Sequence, residues 1–272
     1  MAPAVQVHKD IPYPPAAPGG ASERHMFDLY LPAACPGPVP LVVFMHASAW
    51  HFGDKSEFGN VATGLIEASA NQLAVAVINY ELSSRAADSV RHPDHLDSVA
   101  AAVRFLITDQ SYPGWSVVDT SQVHLVGHSA GAHLLMLLVL APHAEFPHMD
   151  AVRSAVGIGG IYDIPGLLAA HPDYSDFVDL AFSASQHESA SPRHVAQTAR
   201  AAARHVRFLV VHSTSDEIMN IDQALDFAPQ LVRAGYQDVT LAVRDLGPHI
   251  TCVGEREFLR MAAAFIGHQP SA

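Results

Sequence analysis

The sequence predicts an α/β architecture, a mostly parallel sheet with helices on both faces. Three observations carry this reading. Short strand-length segments recur at residues 41–45, 73–79, 123–126, 151–158 and 208–211, and the first two are apolar runs of strands buried on both sides, as parallel strands are. Segments with helical spacing separate them; in 94–108 the apolar residues fall at Leu96, Val99, Ala100, Val103, Leu106 and Ile107. Finally, Gly127-His128-Ser129-Ala130-Gly131 lies between an apolar strand and a strongly apolar segment at 132–140. Strand and helix alternating in this way build a parallel sheet whose sites lie at the carboxyl ends of its strands.

Taken in order, residues 5–11 read as a short first strand, after a start rich in Pro, Ala and Gly. Residues 25–31 alternate through Met26, Asp28 and Tyr30 and are stopped by Pro32, a second strand. Residues 33–40 are a turn-rich loop, 41–45 a buried strand and 46–55 a loop. Residues 58–71 fit a helix, 73–79 a strand and 94–108 a helix. Residues 123–126 lead into the serine turn, and 151–158 form a strand that ends at Gly159-Gly160. Residues 163–206 break the alternation with several His, Ser and Pro and read as an inserted cap, the alanines near 200–203 as helix. Then come a strand at 208–211, a helix at 222–234 distorted at Pro229 and stopped at Gly235, a strand at 239–243 and a last helix at 255–266. The whole, 1–272, reads as one domain.

Composition narrows the function. Of 272 residues 49% are hydrophobic and 15% charged, which demands a large core, and the net charge of −12 without a Lys/Arg cluster argues against a nucleic-acid partner. The longest apolar run, 134–141, is too short to span a membrane. Nothing at the start resembles a secretory leader, so the expected compartment is the cytoplasm. Cys35 and Cys252 make no disulfide framework.

The chemistry centres on Ser129. A serine on a sharp strand-to-helix turn needs small residues on either side, here Gly127 and Gly131, because backbone and helix come very close. The backbone N–H of Ala130 then points toward a developing oxyanion. Such a serine requires a base and an orienting carboxylate from loops after later strands. After the strand at 208–211 comes His212-Ser213-Thr214-Ser215-Asp216-Glu217, and after 239–243 comes Arg244-Asp245-Leu246-Gly247-Pro248-His249. His249 is the candidate base and Asp216 the candidate orienter; Glu217 competes but stands one residue further from the strand end. The second oxyanion donor is expected after the strand at 41–45, from the backbone N–H groups of Ala47 and Ser48 in His46-Ala47-Ser48-Ala49-Trp50.

On these residues the sequence resembles the α/β-hydrolase superfamily. Within it, the sequence is similar to kynurenine formamidases (arylformamidases) and neighbouring carboxylesterases of the hormone-sensitive-lipase type. The matching pieces are the 46–50 loop for a His-Gly-Gly-x-Trp motif, Asn79-Tyr80-Glu81-Leu82-Ser83, His92-Pro93 upstream of Asp97, the serine pentapeptide, Gly160-Ile161-Tyr162-Asp163, Ser191-Pro192, Asp216-Glu217 and Asp245 to His249. The resemblance implies a serine hydrolase of a carboxylic ester or N-formyl aryl amide, working through an acyl-enzyme on a small-molecule substrate, with no cofactor, as a monomer or homodimer. One departure stands out: the family's paired glycines are Ala47 and Ser48. Either the oxyanion loop is reshaped or the Ser48 hydroxyl adds a donor; if the loop is the obstacle, restoring glycine at both positions is expected to raise turnover of formyl substrates.

The remaining signals are weaker. Eighteen histidines invite a metal reading, His92 with His95 or His143 with His148, but no zinc spacing is present and none is expected to be catalytic. Gly157-Ile158-Gly159-Gly160 reads as a turn rather than a cofactor loop. Tyr174, Phe177 and Phe182 in the cap are expected either to line an acyl pocket or to pack the cap, and Trp50 to form a pocket wall. The competing functions are a specialised biosynthetic hydrolase or acyl-transfer enzyme and a non-catalytic small-molecule-binding protein on the same fold.

Overall fold

The computed structural model describes residues 5–15, 23–34, 37–86, 89–141, 146–198 and 201–268. Cys35 and His143 lie outside them, as does Arg200, so the alanine run near 200 is seen only as the 3-10 turn Ala201–Ala203.

Eight strands form one sheet: β1 (Val5–Pro12), β2 (Met26–Pro32), β3 (Val39–Met45), β4 (Ala74–Ile78), β5 (Val118–His128), β6 (Val152–Ile158), β7 (Arg207–Ser213) and β8 (Val239–Arg244), in the spatial order β1-β2-β4-β3-β5-β6-β7-β8. The first three neighbours pair antiparallel and all the rest are parallel. Every residue of β4 and β7 is buried, which is why these strands read as unbroken apolar runs.

The helices are α1 (Gly59–Ala68), α2 (Asp94–Thr108), α3 (Ala130–Leu140), α4 (Ile164–Ala170), α5 (Ser175–Ala181), α6 (Pro192–Val195), α7 (Asp222–Arg233) and α8 (Arg256–Gly267). Strand alternation divides the core in two. Val42, Phe44, Val75, Val77, Val126, Val156 and Leu209 face α1 and α8, while Leu41, Val43, Met45, Leu125, Ala155 and Val210 face α2, α3 and α7. α3 lies in the second layer with all of its residues buried, so it carries no polar stripe.

Two elements, the helix at 58–71 and the strand before the serine turn, differ in their bounds from the sequence reading for local reasons. The helix expected at 58–71 is a 3-10 turn, Lys55–Phe58, followed by α1, which stops at Ala68 because Ala70 and Asn71 take left-handed φ of 54° and 64°. Asn71 N–H then closes on Ile66 O at 2.9 Å, a helix stop that asparagine can make in place of glycine. Strand β5 begins five residues earlier than its apolar stretch, since Val118 and Asp119 pair with Val39 and Pro40 before a register shift. Pro229 is accommodated inside α7, whose end is closed by Gly235 at φ 95°. Among the described residues no helix is long and apolar enough to cross a membrane.

Candidate active site

Four loops meet at the carboxyl ends of β3, β5, β7 and β8. The turn after β5 is the tightest. Ser129 sits at φ 56°, ψ −120°, a conformation that costs a non-glycine residue about 1–3 kcal/mol. Its N–H donates to Ile158 O at the end of β6 (3.0 Å), and its carbonyl accepts from His133 N–H in α3 (3.1 Å). A Cβ on Gly131 would run into the carbonyl oxygens of Met45 and His46, and one on Gly127 would lie 2.5 Å from Leu135 Cδ2 and 2.7 Å from Gly131 C. Both positions therefore demand glycine, and the first contact puts the turn directly against the loop that leaves β3.

On the other side, the loops after β7 and β8 are stitched together. Ser213 Oγ donates to Gly247 O (2.6 Å) and accepts from Leu246 N–H (3.1 Å), and Ser215 Oγ donates to Asp245 Oδ1 (2.7 Å). This frame sets His249 Nδ1 2.7 Å from Asp216 Oδ2, with both side chains buried. The other carboxylate oxygen accepts from the N–H groups of Ile218 (3.0 Å) and Met219 (2.8 Å). Burial pushes the Asp216 carboxyl up, but the His249 hydrogen bond and charge and the two backbone donors outweigh it and hold the group below the usual carboxylate range. An ionised carboxylate only accepts, so Nδ1 carries the proton and Nε2 is left as a base. Glu217 has a separate place: its Oε2 accepts the backbone N–H of His249 at 3.0 Å.

His249 stands against the serine turn. Its ring centroid is 4.7 Å from that of His128, the residue before Ser129, and a Cβ on Gly159 would lie 3.1 Å from both Asp216 Oδ2 and His249 Cε1. His128 is pushed down to about 3, by burial first and then by His249, so it stays neutral beside the pair. The Ser129 hydroxyl makes no hydrogen bond to His249 in this conformation.

The loop after β3 is held by side chains rather than by glycine. Tyr80 O–H donates to His46 O at 2.7 Å, so its oxygen is free to accept, and the Ser48 hydroxyl donates to it at 2.7 Å. Ser48 Oγ in turn accepts the N–H of Trp50 at 2.9 Å. Ser48 and Tyr80 have no exposed surface, and Tyr80 stacks on His46 with centroids 4.6 Å apart. The Ser48 hydroxyl proton is thus spent on Tyr80, and of the two alternatives read from the sequence the added hydroxyl donor is not available. Ala49 and Trp50 absorb the turn at φ 44° and 60°. The backbone N–H groups of Ala47 and Ser48 donate to none of the described residues, and that of Ala130 is one of the free donors of a helix start.

Trp50 has no accessible surface, so it does not form the pocket wall expected of it. Its indole N–H donates to His133 Nδ1 (3.2 Å), and His133 Nε2–H donates to Ala190 O (2.7 Å). Burial holds His133 down to about 3, in keeping with a neutral ring that accepts at one nitrogen and donates at the other. Phe182 closes this cluster edge-on to Trp50 at 4.9 Å. Tyr174 and Phe177 remain partly exposed. The Tyr174 hydroxyl donates to Ile218 O (3.1 Å) beside Asp216, and the Phe177 ring lies 5.1 Å from Tyr174 and 6.2 Å from His51. Sequence reasoning missed Tyr80, His133 and Gly159, and it cast Glu217 only as a rival of Asp216. Tyr80 lay in a quoted motif, but its partners are 32 and 34 residues away. Among the described residues no group of three or more His, Cys, Asp or Glu is placed to hold a metal ion.

With the geometry in place, the comparisons with known proteins are specific. The BD-FAE family model matches residues 27–231, from β2 to α7. The chain belongs to the BD-FAE family. It is 31% identical over 194 residues to the kynurenine formamidase of Meyerozyma guilliermondii, covering 67% of each chain, and 27% identical over 168 residues to that of Danio rerio. The chain spans about half the length of the fish enzyme. It is also 26% identical over 231 residues to a probable isoprenylcysteine alpha-carbonyl methylesterase of Arabidopsis thaliana. In structure it resembles esterase B of Lactobacillus rhamnosis, with a TM-score of 0.75 at 18% identity over 98% of this chain and 88% of that one. These likenesses make this BD-FAE member an α/β-hydrolase in fold, with formamidases and esterases as relatives.

Proposed function

We propose that the protein is a serine hydrolase of a small carboxylic ester or N-formyl aryl amide, kynurenine formamidase-like, with Ser129, His249 and Asp216 as its triad. The 2.7 Å pairing of His249 with an ionised Asp216 beside the strained Ser129 turn carries this reading. Relatives named as formamidases and methylesterases support the substrate range.

Ser129 Oγ attacks the carbonyl carbon after rotating toward His249, whose Nε2 takes the hydroxyl proton. Asp216 holds the tautomer and stabilises the imidazolium. The oxyanion forms against the N–H of Ala130 and those of Ala47 and Ser48, for which the free donors speak. His249 then returns the proton to the departing alcohol or arylamine. Water, deprotonated by the same nitrogen, cleaves the acyl-enzyme. Residues 163–206 serve as a cap on a single domain spanning 1–272. Tyr174 and Phe177 face the acyl or aryl group from this cap, while Trp50 acts through the loop it anchors. No cofactor is required.

The test is kcat/KM for N-formyl-L-kynurenine beside a short-chain p-nitrophenyl ester, with Ser129→Ala as the blank. A preference for the amide of about 100-fold, roughly 2.7 kcal/mol, identifies a formamidase. Ester turnover alone makes it an esterase, and turnover by Ser129→Ala at the wild-type rate refutes the triad.

A further inference from the structure

The far end of the sheet carries a polar construction that the proposed chemistry does not use. His124, Ser154 and Arg207 are aligned across β5, β6 and β7: His124 pairs in register with Ser154, and Ser154 with Arg207. Two residues further along each strand, the same face presents Val126, Val156 and Leu209 to the core beneath α8. At this one row the pattern breaks. Three polar side chains occupy apolar positions at 3%, 0% and 7% exposure.

Burying such groups is costly unless they are fully partnered. Ser154 Oγ meets His124 Nδ1 at 2.8 Å. Arg207 is poorly satisfied for a buried guanidinium: its nearest acceptors are Ile266 O at 3.4 Å and Asp238 at 4.0 Å, while Phe265 covers its flat face at 4.7 Å. His124 and Arg207, with Ser154 beneath them, line a cleft of about 400 Å³, together with Arg153, His205, His268, Gln122 and Ser121. That volume lies in the range of small-ligand sites, about 300–1,000 Å³. The chain has only 15 Lys and Arg against 27 Asp and Glu, yet the ionisable groups lining this cleft are two arginines and three histidines. Burial and the two guanidiniums push His124 down to about 3, a sign of the positive potential there.

We infer that this cleft, at the amino-terminal side of the parallel sheet and away from Ser129, binds a small molecule through a phosphate or carboxylate group, held by Arg207 and Arg153 with His124 as a further donor. Guanidinium groups suit planar or tetrahedral oxyanions because they offer paired, fixed N–H donors.

The test is calorimetric titration of the full chain at low ionic strength with inorganic phosphate and, separately, with citrate. Saturable binding near one anion per chain is expected, and the tighter of the two probes tells a phosphate site from a carboxylate site. Arg207 is buried and its replacement risks the fold, so the informative variant is Arg153→Gln at the exposed rim. Arg153→Gln is expected to weaken binding roughly tenfold, as the loss of one charge-assisted hydrogen bond would. Arg233→Gln, at an exposed position of α7, should leave it unchanged, as should Ser129→Ala. Absence of saturable binding by both anions, or equal affinity in Arg153→Gln and Arg233→Gln, overturns the inference.

Discussion

Tyr80→Phe isolates the brace of the oxyanion loop. It removes one oxygen that donates to His46 O and accepts from Ser48 Oγ, both at 2.7 Å and both buried. The ring, stacked on His46, is retained. Two buried groups, a carbonyl and a hydroxyl proton, lose their partner, at about 1–3 kcal/mol each. The Ser48 hydroxyl can turn to recover part of this, so a net loss of roughly 2–4 kcal/mol is expected, or about 5–15 °C in Tm for a domain of this size. The catalytic consequence is separate. If the N–H groups of Ala47 and Ser48 stabilise the oxyanion, a loosened loop misplaces them. Complete loss of one such donor costs about 10²–10³ in kcat, so partial misplacement should cost roughly tenfold, in kcat rather than KM. The assay is steady-state turnover of a p-nitrophenyl ester alongside a thermal melt. Ser48→Gly, which the sequence alone would favour, should fall in the same direction because it deletes the acceptor of Trp50 N–H. Wild-type kcat and Tm in Tyr80→Phe, or a rise in kcat for Ser48→Gly, would refute the reasoning.

Two further predictions concern charge. Asp216→Asn should reduce kcat by roughly 10⁴-fold, as in triad proteases where the wrong tautomer results. Glu217→Gln, whose side chain holds only the His249 backbone, should cost no more than about tenfold; the reverse order of damage would transfer the orienting role to Glu217. Stability should fall steeply in acid. His46, held down to about 4, and His95, His124, His128 and His133, held down to about 3, are all lowered by burial first. Their contribution is complete above the unfolded value near 6.5 and is lost as pH falls toward 3–4, by up to about 1.4 kcal/mol per pH unit for each. The depressed carboxyl of Asp216 acts in the same direction at lower pH. Urea midpoints measured at pH 7.5 and pH 5 should differ markedly, and equal midpoints would show that these rings are not buried neutral.

The order of strands and helices was legible in the sequence because it rests on local periodicity. The apolar runs at 41–45 and 208–211 and the helical spacing of 94–108 are visible within one window, and α2 has those same bounds. The serine turn was legible because its residue types fall within one pentapeptide, although the clash that demands glycine at 131 comes from the backbone of Met45 and His46, and that at 127 from Leu135 and Gly131. The ends of α1 and β5 were less so, since a left-handed asparagine and an edge pairing outside the apolar stretch leave no periodic mark. What only the tertiary structure decided is which polar groups meet. Ser48 finds Tyr80, 32 residues on; Trp50 finds His133, 83 on; Glu217 finds the backbone of His249; and His124, Ser154 and Arg207 form one row across three strands. A hydroxyl or an imidazole carries the same letter whether it is a free donor, a brace or a buried floor. Its role is set by which partners the fold brings within about 3 Å, and that depends on strand order and register rather than on the residues beside it in the chain.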